Sequence, residues 1–283
     1  MCFEHIAQVV SERYKKESPS SSSRRNFLKT GAALAAASAT GIQIARPQIA
    51  RAQDMMGQVI DLSHVFLTEV PTYLPDATPT RETVVSVEND GFFIQQWSFG
   101  EHTGTHIDAP GHFVADGETI DVYPADLLVS PAVVLDISAR AAEDPDAMLM
   151  VDDILAWEAE FGELPAGALV CMYSGWDERW PDIEAFRNAD ADGVMHFPGF
   201  SGEAAEFLVT ERDIHGIAVD TLSLDIGSSS TFDTHLTILS AGKYGIENIA
   251  NLTAIMGSTS TVVVGVPRWE GGSGGPCRIL AMI

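Results

Sequence analysis

Cationic side chains are scarce in this chain. Sixteen Lys and Arg stand against forty Asp and Glu, giving 283 residues a formal charge of −24. Such a surface repels polyanions, which excludes nucleic acid and anionic lipid as partners. Cysteine is nearly absent, with three in the whole chain, so neither a disulfide framework nor a thiolate-rich structural metal site organises the fold. Long apolar runs are missing as well. The one candidate, Gly31 to Ile44, is interrupted by Ser38, Thr40, Gly41 and Gln43 and does not make a permanent membrane span. No phosphate-binding P-loop, dinucleotide fingerprint or internal repeat occurs. What remains is 46% hydrophobic, ample for a core.

The first fifty-odd residues differ from the rest. A polar stretch, Ser18 to Ser23, leads into Arg24-Arg25-Asn26-Phe27-Leu28-Lys29, an Ala-rich segment, and Ala50-Arg51-Ala52. That order resembles a twin-arginine signal peptide over residues 1–52, cut before Gln53, and predicts delivery of a folded protein to the periplasm by the twin-arginine export machinery. Residues 53–283 then retain eight cationic side chains against thirty-seven acids. Cys2 leaves with the leader. Cys171 and Cys277 have the option of one periplasmic disulfide, although Cys171 sits in the apolar run Ala168 to Tyr173 and reads as a buried, inert thiol.

Chemistry concentrates in one place. The segment His102-Thr103-Gly104-Thr105-His106-Ile107-Asp108-Ala109-Pro110-Gly111-His112-Phe113 holds three of the eight histidines and an aspartate. Imidazole nitrogen beside carboxylate oxygen is the ligand set of Zn²⁺, Mn²⁺ or Fe²⁺. A helix, at about 100° per residue, turns Asp108 about 240° away from His102. A continuous strand, at roughly 3.3 Å per residue, separates the two by about 20 Å. A bent segment with hinges at Gly100, Gly104, Pro110 and Gly111 satisfies both constraints, so Phe92 to Phe99 is predicted as a strand and His102 to His112 as the loop leaving it.

This pattern, H-x-G-T-H-x-D-x-P-x-H-F, resembles the signature of the cyclase-like metal-dependent hydrolases, the family of bacterial kynurenine formamidase and isatin hydrolase. The resemblance implies that His102, His106 and Asp108 bind metal and that His112 donates and accepts the catalytic proton. It places a second metal position, sharing Asp108, on His235 and Glu247, for one or two Zn or Mn ions per chain. Tyr73 takes the place of an aromatic, usually Trp, that contacts substrate. The implied fold is α/β, a swivelling β/β/α single domain with a barrel-like mixed sheet flanked by helices, assembled as a homodimer or homotetramer. The implied reaction is arylformamidase-type amide hydrolysis by metal-activated water, N-formylkynurenine to kynurenine and formate in tryptophan catabolism. Isatin-like opening of a cyclic amide, imide or lactone is the rival, and export favours it. A periplasmic metal or ligand carrier is the non-enzymatic alternative, against which His112 speaks.

Elsewhere the alternation of apolar residues predicts strands at 58–62, 83–88, 132–137, 169–173, 216–219, 261–266 and 278–283. Helices are predicted at 152–161, capped by Asp152 with Ile154, Leu155 and Phe161 inward, and at 203–209. Asn89-Asp90-Gly91 is turn chemistry. The aperiodic stretch from Trp176 to Phe200 reads as an excursion able to shape or cover a pocket, with His196 outside the metal site. Gly271-Gly272-Ser273-Gly274-Gly275 matches the nucleophile-elbow pattern G-x-S-x-G, but no His, Asp or Glu follows it, so it reads as a flexible turn.

Overall fold

The computed structural model describes residues 57–74, 77–180, 182–258 and 260–283. The predicted leader, 1–52, and Pro75 in the loop after the first strand lie outside them. After β1 (Val59–Asp61), residues 81–97 belong to a small unit of their own. Here β2 (Thr80–Val85) pairs with β3 (Ile94–Ser98) around the single turn α1 (Val87–Asp90). The predicted strand 83–88 stops at Val85 because Ser86 caps that turn. Its Oγ accepts from Asn89 N at 3.4 Å, while Asp90 Oδ2 accepts from Ser86 N at 2.9 Å. Gly91, at φ 80°, supplies the left-handed exit.

The other described residues form a mixed α/β domain. Along the chain come β4 (His106–Asp108), β5 (Val129–Asp136), α2 (Ser138–Glu143), β6 (Met148–Leu149), α3 (Val151–Phe161), β7 (Ala168–Tyr173), α4 (Ile183–Arg187) and β8 (Gly199–Phe200). Then follow α5 (Gly202–Glu211), β9 (Ile214–Val219), α6 (Asp233–Ser240), β10 (Tyr244–Glu247), β11 (Ser260–Gly265), β12 (Gly274–Pro276) and β13 (Arg278–Met282). Nine strands make one sheet in the order β1-β13-β11-β5-β7-β9-β10-β4-β12. Its centre, β5-β7-β9-β10, is parallel, and both flanks are antiparallel.

Period-two alternation decides the two layers. Val133, Leu135, Val170, Met172, Ile217 and Val219 pack with Ile154 of α3, Leu208 of α5 and Ile238 of α6. Their neighbours Ala132, Val134, Leu169, Cys171 and Ala218 point the opposite way, into a cluster with Ile107, Ile246, Val262 and Ile279. That cluster draws on β4 near one edge of the sheet and β13 near the other, so the sheet curls around it. Backbone contacts close the curl: Ala250 N donates to Leu62 O at 2.8 Å, and Cys277 N to Thr105 O at 3.0 Å. The barrel-like mixed sheet flanked by helices is the architecture found.

One local expectation changes, the cap and inward face of α3. In α3 the first turn is closed by Asp153, whose Oδ2 accepts from Met150 N at 2.7 Å, and only Ile154 of the three predicted inward residues is buried, Leu155 and Phe161 being exposed. The excursion after Trp176 is packed: Trp176, Phe186, Met195 and Phe197 bury with Leu222, and Trp176 Nε1 donates to Phe186 O at 2.8 Å. Both Cys171 and Cys277 are free thiols, and burial pushes Cys171 up to about 12.

Candidate metal centre

The segment predicted as a loop contains a strand. His106, Ile107 and Asp108 form β4, held between β10 and β12 with His106 opposite Glu247 and Asp108 opposite Gly274. The estimate of about 20 Å between His102 and Asp108 assumed one conformation throughout. Gly104, at φ 67°, breaks that conformation and folds the chain back. His102 Nδ1 thereby comes to 2.5 Å from Asp108 Oδ1. Asn248, itself left-handed at φ 56°, clamps the bend: its Nδ2 donates to Gly104 O at 2.9 Å, and its carbonyl accepts from Thr105 Oγ1 at 2.6 Å.

Each histidine uses one nitrogen outside the cluster. His106 Nδ1 donates to Gly104 O at 2.8 Å, so Nε2 is the nitrogen that faces the cluster, 3.4 Å from Asp108 Oδ1 and 3.3 Å from Glu247 Oε2. His235, in the first turn of α6, has Nδ1 2.6 Å from Asp225 Oδ2 and turns Nε2 toward Glu247 Oε1 at 3.1 Å and Asp108 Oδ2 at 3.5 Å. Asp225 also caps α6, accepting from Thr234 N at 2.8 Å and His235 N at 3.2 Å. The five residues predicted to bind metal, His102, His106, Asp108, His235 and Glu247, thus converge on one spot. Ligand-capable atoms of His102, His106 and Asp108 lie within 4.8 Å of one another, as do those of Asp108, His112 and His235.

The electrostatics of this spot favour a cation. His106 Nε2 and Asp108 Oδ2 are buried without a hydrogen-bond partner, and an unmet buried polar atom costs about 1–3 kcal/mol. Burial opposes charge on His106, yet Asp108 and Glu247 outweigh it and hold its pKa up at about 9. The same contest, with Asp225 added, raises His235 well above the usual imidazole range. Burial disfavours the Asp108 carboxylate, but hydrogen bonds from three histidines hold its pKa well below the usual range. Inward-facing imidazole nitrogens and carboxylate oxygens, with no thiolate, fit a divalent metal that would displace the ring protons.

A cavity of about 380 Å³ opens over the cluster. His112 lines it, stacked on His102 with ring centroids 3.7 Å apart. Burial lowers its pKa to about 4, only partly opposed by Asp108, so it is a free base at neutral pH. Three aromatics form the far wall: Phe113 stacks on His235 at 4.7 Å, Phe232 lies 5.6 Å from Phe113, and Tyr73 lies 6.1 Å from Phe232. Phe232 sits in the left-handed region at φ 53°, strain stored beside the cavity. His196 stays apart, 2.7 Å from Asp146.

The site also recruits residues that sequence reasoning passed over. Asp225, Asn248, Glu101 and Ser273 all touch the histidine segment or its partners. Only Glu101 carried a local signal, being next to His102.

A family model described as "Putative cyclase" matches residues 60–226, and one for the twin-arginine signal sequence matches residues 21–41. Isatin hydrolase of Roseibium aggregatum is 34% identical over 244 residues, covering 80% of this chain and 92% of that protein. Kynurenine formamidase of Bacillus cytotoxicus is 26% identical over 194 residues, covering 67% and 81%. Among solved structures, isatin hydrolase A from Ralstonia solanacearum superposes with a TM-score of 0.76 at 34% identity, over 80% of this chain and 92% of the other. A "predicted metal-dependent hydrolase from Bacillus stearothermophilus" superposes at 0.61 with 25% identity, over 79% and 97%. The signal directs export through the twin-arginine pathway, to the periplasm or beyond. Among the described residues no helix is long and apolar enough to cross a membrane.

Proposed function

The chain belongs to the cyclase family of hydrolases, and from that premise we propose that it opens a cyclic amide fused to an aromatic ring, the class to which isatin belongs. The observation that carries the reading is the cavity itself, with imidazoles and carboxylates on its floor and the rings of Tyr73, Phe113 and Phe232 on its wall. A flat bicyclic substrate gains about 0.5–1.5 kcal/mol per well-placed aromatic pair beyond its buried area. The formamidase relative is less similar, and the open-chain formamide reading takes second place accordingly.

His102, His106 and Asp108 are proposed to hold one Zn or Mn ion, and His235 and Glu247, with Asp108 shared, a second. A divalent cation in that cradle supplies Lewis acidity to the substrate carbonyl and acidity to nearby water. His112 faces the same cavity as a neutral base. It accepts the proton of the attacking water at one ring nitrogen and returns it to the leaving amide nitrogen, so the ring closes its own proton cycle. Asp225 accepts the Nδ1 proton of His235, so Nε2 is the nitrogen that a cation would take. Phe113 and Phe232 exclude bulk water and orient the substrate ring, and Tyr73 completes that wall. Cleavage before Gln53 and assembly into a homo-oligomer complete the proposal.

The test is turnover by the exported protein loaded with Mn²⁺ or Zn²⁺, followed spectroscopically on isatin and on N-formylkynurenine. Faster opening of the cyclic amide is expected. Hydrolysis of the formamide alone would replace this reading with the open-chain one, and tight metal binding with no turnover of any amide or lactone would reduce the protein to a carrier.

A further inference from the structure

The glycine-rich turn at residues 271–275 reaches the candidate metal centre. Ser273 Oγ lies 2.6 Å from Glu101 Oε2 and 2.9 Å from His102 Nε2, and Ser273 N donates to the same Glu101 oxygen at 3.1 Å. A hydroxyl has one proton to give, and the carboxylate has none. The Ser273 proton therefore goes to Glu101, and the Ser273 oxygen must accept the Nε2 proton of His102. His102 Nδ1 is the atom left facing Asp108, 2.5 Å away, and the one whose proton a cation would displace.

The backbone is shaped for this contact. A Cβ on Gly274 would meet Ile107 O at 2.2 Å and His102 Cε1 at 2.9 Å, and one on Gly272 would meet Glu101 Oε1 at 2.9 Å. Glycine on both sides of Ser273 lets the turn close on β4 and on the histidine ring at once, and Gly274 is already in the ladder opposite Asp108.

We propose that Ser273 and Glu101 are positioning residues for His102: the chain Glu101–Ser273–His102 selects the Nε2–H form of the ring and fixes its plane against His112. Its metal consequence rests on the function proposed above. A serine that merely satisfies Glu101 would leave His102 indifferent to its loss.

The exported protein, labelled with nitrogen-15 at histidine, separates the two. In the metal-free protein the Nε2 proton of His102 is expected to exchange slowly with water. Ser273→Ala should release it to fast exchange, while Ser273→Thr, which keeps a hydroxyl, should retain it. In Mn²⁺ titrations Ser273→Ala and Glu101→Ala should each weaken binding about tenfold or more. The double variant should bind about as weakly as the worse single one, because both cut the same chain. An unchanged His102 proton in Ser273→Ala, or losses that add fully in the double variant, would overturn the proposal. Absence of Mn²⁺ binding in the unmutated protein, with a His102 proton that still depends on Ser273, would remove the metal reading and leave the positioning role standing.

Discussion

Asp225→Asn tests how the fold chooses the working nitrogen of His235. The carboxylate accepts three hydrogens, from Thr234 N at 2.8 Å, His235 N at 3.2 Å and His235 Nδ1 at 2.6 Å. Asparagine has one carbonyl oxygen and an NH₂ of equal size, so one side must now meet a donor. If the oxygen stays with His235, the NH₂ confronts Thr234 N, and α6 loses a cap worth about 1 kcal/mol together with a buried donor left unmet at about 1–3 kcal/mol. If the amide turns over, its NH₂ faces Nδ1, which must yield its proton to Nε2. That proton then points at Glu247 Oε1, 3.1 Å away, and the lone pair is lost to any cation, at a cost of about 10–100-fold in affinity. The first outcome appears as a lower melting temperature in chelator at unchanged Mn²⁺ affinity, the second as weaker Mn²⁺ binding in a dye-competition titration, beside the stability lost with the His235 N hydrogen bond. A variant that melts and binds like the original would refute the orienting role of Asp225 and, with it, the assignment of Nε2 as the working atom.

Other substitutions probe separate parts of the argument. Gly274→Ala forces a Cβ to 2.2 Å from the Ile107 carbonyl oxygen; prying β12 from β4 should cost about 3 kcal/mol through overpacking and lost ladder bonds, or roughly 10 °C in melting temperature. His112→Asn should reduce kcat by about a hundredfold or more while Mn²⁺ affinity in the same titration holds. Phe232→Asn places a residue tolerant of φ 53° where Phe is strained; KM for isatin should rise more than kcat falls, with no loss of melting temperature. His64, stacked on Trp180 at 4.2 Å, is lowered by burial to about 4. Its folded pKa lies below the unfolded value near 6.5, so the unfolded chain gains protons first and stability slips as pH falls from about 6.5 to about 4. Melting curves of His64→Phe should show a shallower decline over that window, and parallel declines would remove His64 as a cause.

Which atoms can bind a cation was readable from the sequence, because three imidazoles and a carboxylate within His102 to His112 have no use in a folding core. Their arrangement was harder to foresee. β4 is three residues long with no alternation to reveal it, and it exists only because β10 and β12, more than a hundred residues away, pair with both its edges. His235 and Glu247 were reachable through family resemblance alone, since a spacing of twelve residues is unremarkable until α6 and β10 bring their atoms to 3.1 Å. Gly271 to Gly275 misled for a physical reason. A missing side chain signals freedom when only the sequence is in view, whereas at Gly274 the same absence is what lets the backbone lie against Ile107 and His102. Serine and aspartate are common enough on surfaces that Ser273 and Asp225 carry no signal of their own. Their meaning lies in the nitrogen they occupy, and by occupying the outer nitrogens they leave His102 facing the centre through Nδ1 and His235 through Nε2. Residue type therefore sets what the centre can bind, while which nitrogen does the binding is decided by distant acceptors that only the folded chain brings near.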